Sequence, residues 1–410
     1  MSRSSKPLEL CFICPEYPPG PHGGIGTMTQ VLARALVARG HGVRVIGVYR
    51  RDYPAADYEV DHGVRVWRRR AHPYRLGWMA DRYQLFRLVA GWSRRREIDL
   101  VEVPDCSGWA AGWPRLRVPV ITRLHGSGTY FFVETGRQPR RTTFWIERAA
   151  FNRADAWCTV SRYTADRTRR LFGLPRGPGA LLYNPVEQNF DDRRLPGEDD
   201  VVFAGALTAK KGVISLVRAW PRVLRACSGA RLHIFGRDVA APGGGSTLAA
   251  PDGGPMLAYL RAQLDDETAK TVVFHGQVPR EELFQAYRRA RLAVFPSYAE
   301  GFALAPLEAM ACGCPVIYTR RGPGPELIRD ERDALLVDPD RPEEIGAAIV
   351  RLLADDQTAT RLGQAGQARA RECFSLQVLV PQNEAFYASC LDEWEGNGNG
   401  ASRRGEVTWV

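Results

Sequence analysis

RLAVFPSYAEGFALAPLEAMACGCPVI, residues Arg291 to Ile317, reads as one strand–loop–helix–strand unit. Leu292-Ala293-Val294-Phe295 is a short apolar run, as expected of a strand buried on both faces. Pro296 and Ser297 end it, and Tyr298 to Ala305 form a loop. Pro306 suits the first helical position because its φ is already fixed near the helical value. The spacing therefore predicts a helix from Leu307 to Cys312, closed by Gly313, and then a strand from Pro315 to Tyr318. Consecutive strands joined through a helix run parallel, and open parallel sheets bind ligands beyond the carboxyl ends of their strands.

Two carboxylates bracket the loop, Glu300 within it and Glu308 in the first turn of the expected helix. The amides of Phe302, Ala303 and Leu304 approach the helix start, where N–H groups are unpaired and the dipole is positive. Such a place accepts phosphate. A carboxylate beside it needs a donor to hold, and the vicinal hydroxyls of a ribose supply two. The plainer alternative is a capping Glu308 and a solvated Glu300 in an ordinary α/β enzyme. It leaves the Gly301 loop unexplained.

Glu300, Glu308 and the following Ala309-Met310-Ala311-Cys312-Gly313-Cys314-Pro315-Val316-Ile317 together resemble the retaining family 4 glycosyltransferases of the GT-B fold. Their hallmark is two glutamates with seven residues between them, an EAMA-type helix and a G-x-P-V-I strand. The resemblance implies an α/β protein of two facing Rossmann-like domains with parallel sheets and an interdomain cleft. It implies transfer of a sugar from a nucleoside diphosphate sugar, with uridine or guanosine as nucleoside, to a hydroxyl of a glycan, a glycolipid or a small molecule. Configuration at the anomeric carbon is retained. Glu308 is then expected to grip the ribose and Glu300 to hold sugar hydroxyls. Gly301, Phe302, Ala303 and Leu304 would line the phosphates. No cofactor and no metal are expected beyond the nucleotide-sugar co-substrate.

The chain has 410 residues, enough for two domains, and 45% of them are hydrophobic. No apolar run reaches the ~18 residues that cross a bilayer. The start lacks the pattern of a signal peptide, so a soluble cytoplasmic protein is expected. Nine cysteines, odd in number and scattered, do not read as a disulfide framework. Cys11-x-x-Cys14 lies in an apolar strand with no second pair, which argues against metal. The net charge is +10, concentrated in the first half of the chain. It could face an anionic acceptor, a membrane surface or nucleic acid; a solvated arginine-rich surface is the plain alternative, and no nucleic-acid partner is expected.

From the start, Leu8 to Cys14 reads as a strand, Pro15 to Gly26 as a loop, Thr27 to Arg39 as a helix and Gly42 to Val48 as a strand. The glycine spacing is not that of a dinucleotide fingerprint. Exposed backbone at Gly23 and Gly24 would admit a phosphate or sugar, and the resemblance puts this loop on the acceptor side. Trp78 to Arg96 reads as a helix with Trp78, Tyr83, Phe86, Val89 and Trp92 among its apolar residues. It ends in Arg94-Arg95-Arg96, which makes it a candidate for peripheral contact with an anionic membrane at its inner, cytoplasmic face. The strand Val118 to Arg123 leads to His125 at a carboxyl edge. The resemblance places a histidine near the transferred sugar, so His125 joins Glu300 as a candidate catalytic residue. Acceptor choice is expected in loops such as Phe131 to Arg141.

Residues 1–188 form the expected first domain, 189–375 the second, 376–391 a helix returning to the first, and 392–410 a disordered tail. Gly205-Ala206-Leu207-Thr208-Ala209-Lys210-Lys211-Gly212 matches the family's G-R-L-x-x-x-K-G, so Lys211 is expected at the pyrophosphate. Ala206 stands where an arginine is usual, and Lys210 is the candidate replacement. Only four of the 56 basic residues are lysines, and two sit here. By the resemblance, Val278 borders the base through its backbone. Phe190 to Asp200 reads as linker and Pro242 to Ser246 as a flexible insertion. Asp338-Pro339-Asp340 reads as a turn, not a metal motif. Two rivals stay open: a sugar-nucleotide epimerase or hydrolase, and a non-catalytic sugar-nucleotide-binding subunit.

Overall fold

The computed structural model describes residues 6–175, 177–187, 200–238 and 250–396. The expected linker before Asp200, the 242–246 insertion and the tail beyond 396 lie outside them. The chain divides into two compact units. One takes the chain up to Val133, Gln138–Pro185 and the chain from Leu376 onward. The other takes Glu134–Arg137 and Val186–Ser375.

The first unit holds strands β1 (Glu9–Ile13), β2 (Gly42–Tyr49), β3 (Tyr58–Asp61), β4 (Val64–Arg70), β5 (Leu100–Pro104), β6 (Val120–Leu124), β7 (Ala156–Thr159) and β8 (Ala180–Leu181). Their order in the sheet is β3-β4-β2-β1-β5-β6-β7-β8, and every pairing is parallel except β3 with β4. The helices are α1 (Gly24–Ala38), α2 (Gly77–Arg94), α3 (Gly128–Glu134), α4 (Arg141–Arg153) and α5 (Arg162–Phe172). Of the expected loop over Phe131 to Arg141, residues 135–140 are loop, while its first four residues end α3 and Arg141 starts α4. Neither helix has a strong apolar stripe, which hid them. Helix α1 starts at Gly24 rather than Thr27, because Gly23 supplies the extended N-cap.

Helix α2 buries Leu85, Val89 and Trp92 against Ile46, Val101 and Val103. Trp78 and Tyr83, expected among its apolar residues, instead face solvent, together with Tyr74, Leu76 and Met79. The guanidinium of Arg82 stacks between the rings of Trp78 and Trp109, 5.1 and 5.2 Å from their centroids. Among the described residues no helix is long and apolar enough to cross a membrane.

The second unit is built on β9 (Asp200–Ala204), β10 (Arg231–Phe235), β11 (Val272–Gly276), β12 (Leu292–Phe295), β13 (Val316–Thr319) and β14 (Leu335–Val337). All pair in parallel, in the order β11-β10-β9-β12-β13-β14. Around the sheet lie α6 (Val213–Ala226), α7 (Met256–Ala262), α8 (Asp266–Ala269), α9 (Arg280–Arg289), α10 (Leu304–Ala311), α11 (Gly324–Leu327), α12 (Pro342–Ala354) and α13 (Asp356–Phe374). Helix α6 shows the logic of the layer. Val213, Leu216, Val217, Trp220 and Val223 recur at helical spacing and are buried, while Arg218, Arg222 and Arg225 are exposed. The apolar face packs on Val201, Phe203 and Val294 of the sheet.

The last helix, α14 (Leu376–Gly396), belongs to the first unit and continues past the expected end at Leu391. It is held by buried polar contacts. Arg123 Nη2 donates to Asn383 Oδ1 at 2.6 Å and to the Tyr387 hydroxyl at 3.1 Å. His41 Nε2 lies 2.9 Å from Glu384 Oε1. Cys11 and Cys14 are both buried free thiols, and burial pushes each up to about 12.

Candidate active site

In the second unit the order of strands reverses between β9 and β12. At such a switch point the connections leave in opposite directions and open a crevice at the carboxyl ends. Lys211 follows β9 and Glu300 follows β12, so adjacent strands deliver them to the same edge.

Three contacts hold the two loops together. Gly212 has φ of +72°, and a Cβ there would lie 1.7 Å from the Pro296 carbonyl oxygen, so only glycine allows the approach. The Tyr298 N–H donates to the Lys210 carbonyl at 2.7 Å. Lys211 Nζ then reaches Glu300 Oε1 at 2.7 Å. The Glu300 side chain is 7% exposed, so its charge needs this partner.

Helix α10 begins at Leu304, three residues before the expected start. Pro306 therefore sits inside the first turn, where its missing N–H costs nothing because those donors have no helical partner. Glu308 falls in the second turn rather than the first. Ala303 is the N-cap, and no side chain caps the helix. The amides of Ala303 and Leu304 thus stand at an uncapped positive helix end between the two glutamates.

Glu308 is buried and paired. Arg280 Nη2 donates to its Oε1 at 2.7 Å, and Arg280 Nη1 donates to Glu187 Oε2 at 2.7 Å. Burial works against the charge on Arg280, but Glu308 and Glu187 outweigh it and hold the guanidinium above its ordinary range. The sequence reading missed Arg280. A signal existed: it is the first residue of α9, where the helix dipole disfavours a cation, so something else must hold it. Val278 lies half-buried two residues earlier, in the turn between β11 and α9. Ala206 leaves no cation at its own position. Asp338 lies 3.1 Å from the Arg321 guanidinium, which also pairs with Asp340. Among the described residues no group of three or more His, Cys, Asp or Glu could hold a metal ion.

The first unit has its own switch point, between β1 and β5. Gly23 and Gly24 are exposed at the start of α1, where the Gly26 N–H donates to Glu16 Oε1 at 2.9 Å, and a Cβ at Gly24 would meet nothing. Gly26 is the glycine the protein's own packing requires, since a Cβ there would lie 2.1 Å from the Glu16 carbonyl oxygen. His125 follows β6 and is buried. Burial, aided by the neighbouring Arg123, pushes its imidazole down to about 3, so the ring is neutral at pH 7. Its backbone N–H donates to Asp105 Oδ1 at 3.0 Å and that of Gly126 to Asp105 Oδ2 at 3.1 Å. Burial, reinforced by the charge of Glu147, raises the Asp105 carboxyl to about 7 despite those bonds. Glu147 in turn accepts from the Gly128 and Thr129 amides at 2.8 and 3.0 Å. Two buried acids therefore shape the loop that carries His125, and neither was singled out in the sequence.

Two Rossmann-type units with switch points at their sheet edges define the GT-B class of fold. The model of the group 1 glycosyl transferases matches residues 198–355, and that of glycosyltransferase family 4 matches residues 22–190. The chain belongs to this family and is a glycosyltransferase. An uncharacterised glycosyltransferase of Methanocaldococcus jannaschii is 28% identical over 375 residues, covering 85% of this chain and 90% of that protein. A glycogen synthase of Mycobacterium tuberculosis is 25% identical over 418 residues, covering 93% and 94%. Among solved structures, a sucrose-phosphate synthase from Thermosynechococcus elongatus superposes with a TM-score of 0.77 at 23% identity, covering 94% of this chain and all of that one. HepE of Anabaena, solved with UDP and glucose, superposes with a TM-score of 0.71 at 17% identity, covering 93% of this chain and all of that one.

Proposed function

We propose that the protein transfers a sugar from a nucleoside diphosphate sugar to an acceptor hydroxyl with retention at the anomeric carbon. One observation carries this reading. Two buried glutamates flank an uncapped helix start at a sheet switch point, and each is already paired with a cation from another segment. The pattern offers carboxylates to hydroxyls and positive charge to phosphate within one short segment. The solved structure of HepE with UDP and glucose supports a nucleotide-sugar donor.

In this reading Glu308 takes the ribose hydroxyls and the Val278 backbone borders the base. Lys211 and the amides at the start of α10 take the pyrophosphate, and Glu300 takes hydroxyls of the transferred sugar. The bond between the anomeric carbon and the phosphate oxygen breaks with its electron pair going to that oxygen. Preorganised positive charge lowers the cost of that separation. The acceptor oxygen bonds to the same face of the sugar and its proton passes to the departing phosphate. In this reading His125, neutral at pH 7, is a hydrogen-bonding group rather than an acid. The lysine and the helix end supply the charge that a metal supplies elsewhere.

Thermal shift with UDP, GDP, ADP, CDP and dTDP tests the donor reading. A diphosphate at ~100 times its Kd adds about 2.7 kcal/mol to stability. A selective shift in the wild type that Glu308→Ala abolishes is the expected result. No shift with any diphosphate overturns it.

We further infer peripheral contact with an anionic membrane at the start of α2. What supports it is the cluster of exposed Tyr74, Leu76, Trp78, Met79 and Tyr83 interleaved with Arg75, Arg82 and Arg87. Aromatic rings and arginines together suit a charged lipid interface. Sedimentation with phosphatidylglycerol vesicles at low salt is the test. Binding lost in Trp78→Ala/Tyr83→Ala is expected, and no binding by the wild type ends the idea.

A further inference from the structure

Glu300 and Glu308 meet different kinds of cation. Lys211 is a point charge on a flexible stem, free to exchange a carboxylate for a phosphate. Arg280 is a planar fork with a carboxylate at each prong. We propose that Arg280 is a positioning residue for the nucleotide: it anchors one oxygen of Glu308, leaves the other to the ribose, and is itself anchored by Glu187. The inference rests on the reading that Glu308 holds the ribose.

The geometry favours this role over direct contact with phosphate. Both Nη groups of Arg280 are taken by carboxylates, and its guanidinium carbon lies 5.0 Å from the centroid of the Phe284 ring. Its Nε is buried without a partner among the described residues. A guanidinium held from two sides has little freedom to turn toward a ligand. Among the described residues Arg280 is the side-chain partner of the Glu308 carboxylate, and it takes Oε1 alone. The second oxygen is the one that vicinal hydroxyls can use. Glu187 stands two residues beyond Pro185, where the chain enters the second unit. There Val186 bridges to Ser375 at the end of α13, its N–H donating to the Phe374 carbonyl at 2.8 Å. The anchor of the ribose carboxylate is thereby fastened to the paired segments at the unit's two ends.

A residue that acts through Glu308 changes how the protein senses the ribose, not how tightly it binds everything. Calorimetry with UDP, GDP and their 2′-deoxy forms measures that directly. The wild type is expected to prefer one ribonucleotide to its deoxy form by about 10- to 100-fold, the worth of a hydrogen bond to a charged group. Arg280→Met should bring that ratio close to one and change binding of the deoxy form less than about 3-fold, well inside one such bond. Arg280→Met/Glu308→Ala should bind no more weakly than Glu308→Ala, and Arg280→Lys should restore part of the preference. If Arg280→Met does not fold, Arg280→Lys carries the test, with a ribose preference expected between that of the wild type and one. A preference left intact while both forms weaken equally, or additive losses in the double variant, overturns the proposal alone. A wild type that binds none of the five diphosphates overturns the donor reading and this inference with it.

Discussion

Lys211 Nζ lies 2.7 Å from Glu300 Oε1, joining the turn after the first strand of the second unit to the loop after its fourth. The pair is 89 residues apart in sequence and is made at one edge of one sheet. Its two members are expected to fail differently. Lys211→Met should weaken UDP or GDP binding by about 10- to 100-fold, since a charged hydrogen bond to phosphate is lost. Lys211→Arg should not restore it, because a planar fork does not replace a compact ammonium. Glu300→Gln should lower kcat more than it raises KM. Steady-state kinetics with titrated donor separates these outcomes, and equal losses in both parameters for both variants would contradict the assignment.

Gly212 is the hinge pin of that contact. Gly212→Ala forces a side chain into a left-handed backbone, a strain of about 1–3 kcal/mol. It also drives the Cβ into the Pro296 carbonyl. We expect a lower midpoint in urea and a loss of donor binding that persists at temperatures where the variant is fully folded. A variant of normal stability and affinity would show that the approach of the two loops is not needed.

The two buried groups beneath and within the His125 loop give opposite pH dependences. His125 is held down to about 3 from an ordinary 6.5. The unfolded chain therefore binds the extra proton, and stability from this group is complete above pH 6.5 and is lost as pH falls toward 3. Asp105 is held up to about 7 from 3.8. Here the folded chain keeps the proton, so the contribution is complete below pH 3.8 and is lost as pH rises through 7. Between pH 4 and 6.5 the two slopes offset each other. His125→Gln should unmask a decline in stability with rising pH, and Asp105→Asn a rise, each on the order of a few kcal/mol. Denaturant unfolding across pH 4 to 7 checks both signs, and a flat profile in both variants would refute the picture.

Arg123 and Glu102 form a buried bidentate pair at 2.7 and 2.9 Å, and the pair also holds Tyr387 of the last helix. Removing one partner strands the other charge. Arg123→Met should cost about 3–5 kcal/mol, and Arg123→Met/Glu102→Leu should recover much of it. Urea unfolding of the three proteins decides, with a simple sum in the double variant counting against a coupled pair.

Much of the candidate site was legible in the chain itself. A four-residue apolar run, a proline, a glycine loop and a helix ending in glycine declare a parallel-sheet unit, because each signal acts within a few residues. Glu300, Glu308 and Lys211 stand out for the same reason: chemistry at fixed spacing survives without coordinates. Helix starts were misplaced where a permissive residue could lie on either side, as at Leu304 and Gly24. What only the tertiary structure decided is which charges meet. Lys211 with Glu300, Arg280 with Glu308 and Glu187, and Asp105 beneath His125 are brought together by sheet order, not by sequence distance. Whether a carboxylate is solvated, paired or protonated depends on burial and on partners tens to hundreds of residues away, and neither is encoded in any local window.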